Sequence, residues 1–216
     1  MSSDVPRAFI EAASRFQRPR DLVALLERHR GERKLSELMN DPRLKPFKEA
    51  WQASVFGIGY EHLSDKSIEV RICEPEPFPD FEARVDGVVH GFESRMVTRK
   101  RLGDAYRGDE RIGPVVPVKP AKLPPFDPEP IRQAVQDKAS KHYSGAVNLL
   151  LYVSFPGGNA QFSEVAKAVN ESGGDKFESV WVITYDHIGC PRRSEKLARC
   201  DGWLKIPGQE PIIEGA

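Results

Sequence analysis

Asp80 and Glu93 are the residues on which chemistry can be built. They flank an Asp86-Gly87 dipeptide, and Arg95 stands two residues beyond Glu93. Asp-Gly between alternating apolar residues is the strongest short-range sign of a two-residue hairpin, because both central positions tolerate φ > 0. Such a turn fixes the register: Val85 faces Val88, and paired positions sum to 173 down the ladder. Asp80 is then expected opposite Glu93, with Cβ atoms about 5 Å apart. Arg95 shares that face by the two-residue period of a strand. Two carboxylates held side by side repel one another and draw in a divalent cation. Oxygen-only ligands suit Mg²⁺ or Mn²⁺. Such an ion polarises a phosphoryl group and activates a water, and a positive side chain alongside neutralises charge developing on the phosphate.

The same pattern has a plainer reading. Phe81, Ala83, Val85, Val88 and Phe92 fall on one side of the hairpin, and Asp80, Glu82, Arg84, Glu93 and Arg95 on the other. Any sheet with one solvated face alternates in this way. Two features speak for function instead. A purely structural ladder avoids opposed like charges, and Gly91 opposite Glu82 leaves space beside the acids.

These residues must be positioned by the elements around them. Pro42 opens a helix in which Leu44, Phe47, Trp51, Val55 and Ile58 form one apolar stripe. Glu61 continues that stripe and has two readings. Either Gly57 and Gly59 end the helix and Glu61 is a solvated terminal residue, or the helix delivers a third acid beside the hairpin. Residues 68–73 alternate as a half-buried strand, and the hairpin follows over 81–85 and 88–96. A helix is expected from residue 128 or 129 to 143, and a buried strand over 147–155. A short helix over 161–171 and a second buried strand over 179–185 come next, with an edge element in the tail from residue 191. Helices between the last strands imply right-handed parallel crossovers. The fold class is α/β, a sandwich on a mixed sheet in the order helix, three antiparallel strands, helix, strand, helix, strand.

Residues 1–41 read as a small helical cap and residues 42–216 as the core. Asp21 and Gly31 punctuate one cap helix, and its last turn carries Arg28, His29 and Arg30. A proline-rich connection over 99–125 carries Arg99, Lys100, Arg101 and Arg107 against few acids. Structureless connections of that length are uncommon inside compact domains; this one reads as a solvated loop or as a flap that contacts phosphates.

Lysine and arginine balance aspartate and glutamate at 32 each, so only local patches can signal nucleic acid or membrane. Three scattered cysteines argue against a disulfide framework and for a reducing compartment. Nothing at the N-terminus resembles a signal peptide, and no apolar run is long enough to cross a bilayer. A cytoplasmic location is the expectation. His187 and Cys190 have a metal-like spacing without a second ligand pair, which speaks against zinc.

Pro79-Asp80, twelve intervening residues and Glu93-Ser94-Arg95, set on the second and third strands after a helix, resemble the PD-(D/E)XK nuclease superfamily. The resemblance spans roughly residues 51–155. It implies a restriction-endonuclease-like fold and metal-dependent cleavage of phosphodiester bonds, with Asp80 and Glu93 as ligands of Mg²⁺ or Mn²⁺. Glu61 matches the optional acid that some members carry on the preceding helix. Gln133, Gln136 and Tyr143 weakly resemble the Gln-x-x-x-Tyr element of the RecB-like branch, although neither Gln stands at its spacing. Arg95 occupies the lysine position of the motif. Arginine keeps the charge but presents a planar fork and is effectively never deprotonated. A lysine migrated to the following helix, Lys138 or Lys141, is the stand-in that some branches use.

Two functions follow as expectations. One is a metal-dependent nuclease acting on DNA, endonuclease or exonuclease, with Asp80, Glu93, Arg95, Glu61 and Lys138 at its centre and Arg99, Lys100, Arg101 and Arg107 on the nucleic acid. The other is a catalytically inactive module of the same fold that binds nucleic acid or a protein partner. In a third, weaker reading the helical cap docks the chain onto a larger system.

Overall fold

Asp86 and Gly87 adopt φ of 50° and 80°, as a two-residue turn with positive φ at both centres demands. The hairpin they close supplies the second and third strands of a seven-stranded mixed sheet. The computed structural model describes residues 5–33, 37–38, 41–74, 78–97, 126–143, 145–153, 161–184, 187–192, 196–198, 200 and 202–206. The basic connection with Arg99, Lys100, Arg101 and Arg107 lies outside the described residues.

Among those residues, five α-helices surround the sheet: α1 (Arg7–Ala13), α2 (Pro19–Arg30), α3 (Lys45–Ser64), α4 (Glu129–Ala139) and α5 (Phe162–Asn170). The strands are β1 (Ile68–Ile72), β2 (Phe81–Val85), β3 (Val88–Val97), β4 (Asn148–Val153), β5 (Ser179–Ile183), β6 (His187–Arg192) and β7 (Leu204–Lys205). They lie in the sheet in chain order. β1 and β3 each run antiparallel to β2 between them, β4 and β5 continue parallel to β3, β6 runs antiparallel to β5, and β7 antiparallel to β6. The expected three antiparallel strands and parallel crossovers are all present.

Alternation along the strands divides the core in two. Phe81, Ala83, Val85, Phe92, Leu150, Tyr152 and Trp181 join one buried cluster with residues of α1, α2 and α3. Leu149, Leu151, Val153, Val180 and Val182 join a second with α4 and α5. Every residue of β4 and β5 is buried, as strands covered on both faces must be. Phe81 stacks on Phe92 at 4.8 Å, and Phe56 of α3 packs against both and against Trp181. Aromatic burial of this kind pins α3 across the back of the hairpin.

The N-terminal helices share that core. Phe9, Leu22 and Leu26 sit in one cluster with Phe47, Val70 and Phe81. α2 begins at Pro19 with Asp21 inside its first turn, and Gly31 ends it at φ 63°.

α3 corrects one reading. It runs through Gly57 and Gly59 to Ser64 and is capped by Asp65, whose N–H donates to the Glu61 carbonyl at 3.0 Å. Both glycines are buried within the helix. A Cβ at Gly57 would collide with the Pro19 ring, so the glycine marks a close approach of α2 to α3 and not a terminus. β6 is an addition to the sequence reading, which left its first residues unassigned. Gly189 and Pro191 argue against a strand, yet Gly189 is needed because Phe162 and Trp203 lie directly over it. No helix among the described residues is long and apolar enough to cross a membrane, and no disulfide joins Cys73, Cys190 and Cys200.

Candidate active site

The hairpin register holds at every pair from Phe81–Phe92 to Val85–Val88, and there it stops. Asp80 lies just outside the ladder. Its N–H donates to the Phe92 carbonyl at 3.0 Å, and its carbonyl accepts from the Cys73 N–H at 3.2 Å. The expected direct pairing of Asp80 with Glu93 is therefore not made. The Asp80 carboxylate instead accepts from the Ser94 N–H at 2.8 Å and the Ser94 hydroxyl at 3.0 Å. Nor is the space at Gly91 open, since a Cβ there would lie 3.3 Å from the Pro79 ring.

The two acids still meet, through a lysine. Lys138, near the end of α4, is 8% exposed and donates to Glu93 Oε2 in a short ion pair. The same ammonium lies 3.9 Å from Asp80 Oδ2. Tyr143 adds its hydroxyl to Glu93 Oε2 at 3.4 Å. α4 ends at Ala139, earlier than its periodicity suggested, and the chain beyond turns Tyr143 back toward the strand.

Arg95 takes no part in this cluster. It shares a strand face with Glu93, but its side chain is half exposed and its guanidinium lies 3.5 Å from Asp137 Oδ2. The cation that sequence spacing assigned to Arg95 comes from Lys138.

A third acid comes from α3, though not from Glu61. Glu49 and Lys45 stand in the first turns of α3, twelve or more residues ahead of Glu61. Glu61 is thus about 18 Å along the axis from Glu49, at the opposite end of the helix. Lys45 Nζ lies 2.9 Å from Glu49 Oε1, 3.6 Å from Glu74 and 3.6 Å from Asp80 Oδ1. Lys45 thus bridges Glu49 and Asp80, and the two carboxyl groups lie close enough for the charge on Asp80 to act on Glu49. The signal for Glu49 lay in a second stripe, Glu49, Ala53, Phe56 and Tyr60, which brings one acid into line with core residues.

Burial in this cluster separates the acids. Glu49 is 1% exposed, and burial, reinforced by the neighbouring Asp80 charge, pushes its carboxyl up to about 8. Burial also works against Asp80. The Lys138 ammonium and the Ser94 N–H outweigh it and hold Asp80 below the usual carboxylate range. Lys45 is lowered by burial and raised more by Glu49, so its net shift is upward. Buried beside the ionised Asp80, Glu49 is held protonated at neutral pH, while Lys45 keeps access to water. Lys48 is held below the usual lysine range by burial, against the pull of Glu49 and Asp80. Burial pushes the Cys73 thiol up to about 12, which removes it as a thiolate at neutral pH.

One further group is anomalous. Gln52, one turn beyond Glu49 on α3, is 1% exposed, and neither its amide nitrogen nor its amide oxygen has a hydrogen-bond partner among the described residues. No group of three or more His, Cys, Asp or Glu among the described residues is arranged to hold a metal ion. The donor chemistry nevertheless fits a hard cation. Asp80 and Glu93 offer carboxylate oxygens to a point where the positive charge of Lys138 already sits. Comparison with protein-family models, with curated proteins and with solved structures found no match for this chain.

Proposed function

We propose that the chain is a metal-dependent nuclease of restriction-endonuclease-like fold that hydrolyses DNA phosphodiester bonds. The observation that carries this reading is the meeting of Asp80 and Glu93 at one buried ammonium, Lys138, with Glu49 reaching Asp80 from the preceding helix. The element order supports it: a long helix, three antiparallel strands, a helix, then a strand parallel to the third.

Each residue has a role in that reading. Asp80 and Glu93 hold Mg²⁺ or Mn²⁺, and Glu49 completes the acidic shell. The ion supplies Lewis acidity toward the phosphoryl oxygen and a water of lowered pKa. Ser94 fixes the Asp80 carboxylate through two hydrogen bonds. Lys138 balances the acids and offers its charge to the phosphate, the part the motif gives to the residue at Arg95. Tyr143 orients Glu93 by its hydroxyl.

A second reading, a catalytically inactive module that binds nucleic acid or a protein, draws on the departure at Arg95 and on the close engagement of Lys138 by Glu93. Incubating plasmid and single-stranded DNA with purified protein and Mg²⁺ or Mn²⁺ separates the two. The nuclease reading expects cleavage that disappears with Asp80→Ala. DNA binding with a steep salt dependence but no cleavage under either metal would replace it with the binding module.

A further inference from the structure

Beside the acidic centre the chain forms a cavity of about 450 Å³, lined by Ala139, Ser140, Lys141, His142, Tyr143, Gly145, Val147 and Lys176. That volume falls within the range of about 300–1,000 Å³ usual for small-ligand sites. No acid is among these lining residues, although three carboxylates stand close by. Tyr143 joins the two places, because its ring walls the cavity while its hydroxyl rests on Glu93. Lys176 is fixed at the rim, its Nζ donating to the Ala139 carbonyl at 3.0 Å. Lys141 and His142 follow directly from α4, the helix that delivers Lys138.

We infer that this cavity is a phosphate subsite for a nucleotide next to the bond cleaved at Asp80 and Glu93, and the inference rests on the nuclease reading. Lys141 and Lys176 supply two positive charges for a phosphodiester or terminal phosphate, Lys176 held by the Ala139 carbonyl and Lys141 exposed, and His142 adds a donor at the same wall. One aromatic side chain separates the subsite from the acids. A strand crossing Tyr143 therefore presents one phosphate to the acidic centre and a neighbouring one to the lysines.

The test uses the full chain and a short labelled single-stranded DNA oligonucleotide, with binding followed by fluorescence anisotropy across a salt series. Lys141→Ala with Lys176→Ala is expected to weaken binding and to flatten the log–log salt slope by about 0.7 per lost phosphate contact. The same two substitutions on an Asp80→Ala background should flatten the slope by the same amount, because the lysines act apart from the acids. Lys176→Ala also removes a helix-end contact, so Lys141→Glu alone, at an exposed position, serves as the second variant and should weaken binding in the same sense. A nucleoside 5′-monophosphate titrated at fixed pH against wild type and Asp80→Ala should move the His142 ring resonances saturably in both.

Unchanged binding and slope in the lysine variants, with no monophosphate response at His142, overturns the subsite even where wild type cleaves DNA. A monophosphate response that depends on Lys141 in a protein that cuts no DNA sustains the subsite and removes the nuclease reading alone. Absence of both responses and of cleavage overturns the two together.

Discussion

Lys138 sets its ammonium against the Glu93 carboxylate from the helix packed on the same face of the sheet, taking the place beside Glu93 that hairpin spacing assigns to Asp80. Both side chains are almost fully buried. A buried ion pair is retained at a desolvation cost, and removing one partner strands the other as an uncompensated charge. Lys138→Met should therefore cost about 3–5 kcal/mol of stability, read from urea unfolding at neutral pH. Mg²⁺ should return a larger share of that loss in the variant than it adds to wild type, because the ion replaces the missing charge. A variant as stable as wild type, and indifferent to Mg²⁺, would show that Lys138 does not compensate the acids.

Arg95 behaves as a surface residue. Its side chain is half exposed, and its one ion contact among the described residues, with the similarly exposed Asp137, spans 3.5 Å. Exposed pairs contribute about 0–1 kcal/mol, so Arg95→Ala should change the urea midpoint by no more than that implies. Cleavage of plasmid DNA should stay within a few-fold of wild type. Loss of cleavage in a folded Arg95→Ala protein would return Arg95 to the centre and displace Lys138 from its assigned part.

Local rules carried the sequence a long way here. Asp86-Gly87 determined the hairpin and its register, and continuous apolar runs marked β4 and β5. Asp80 and Glu93 were legible as candidates from strand period, and Lys138, beside Lys141, only through the resemblance, which allows the motif lysine to migrate to the following helix. The errors arose where tertiary contact overrides local pattern. Gly57 and Gly59 look like helix ends, yet Pro19 and Ile188 press against them inside α3. Once α3 is continuous, its acid near the hairpin is Glu49, and Glu61 is carried to the other end. Register alone could not show that the chain leaves the ladder at Asp80, because Ser94 captures the carboxylate through the strand backbone. β6 was hidden because its glycine answers to two aromatic rings from elsewhere in the chain.

Gln52 offers a test of what the acidic end of α3 holds. An unpartnered buried polar group costs about 1–3 kcal/mol, whereas an apolar side chain of the same shape avoids that cost. Gln52→Met should therefore raise stability by an amount in that range, with the urea midpoint as the measurement. A drop in stability would mean that the Gln52 amide is satisfied by bound water in solution. The variant should also lose Mg²⁺ affinity, read by calorimetry, if the amide orders water around the ion at Asp80.

Glu49 and Asp80 impose opposite pH dependences on stability. Glu49 holds its proton to about pH 8 in the folded chain, against an ordinary value of 4.5. The folded state thus binds more protons than the unfolded state between those limits. Its contribution is complete below the ordinary value and is lost as pH rises through about 8. Asp80 is shifted downward, so its contribution is present above the ordinary value of 3.8 and is lost as pH falls through its depressed folded value. Glu49→Gln keeps the shape of the protonated acid and removes its ionisation. Relative to wild type the variant should gain stability steadily from about pH 5 to about pH 9, with the acid limb set by Asp80 unchanged. Wild type should also release protons when Mg²⁺ binds near neutral pH, since a cation favours ionised Glu49. Calorimetry in two buffers of different ionisation enthalpy measures that release, and Glu49→Gln should abolish it. Parallel stability profiles for the two proteins across this range would place the Glu49 ionisation back in the ordinary carboxylate range and remove it from the acidic shell.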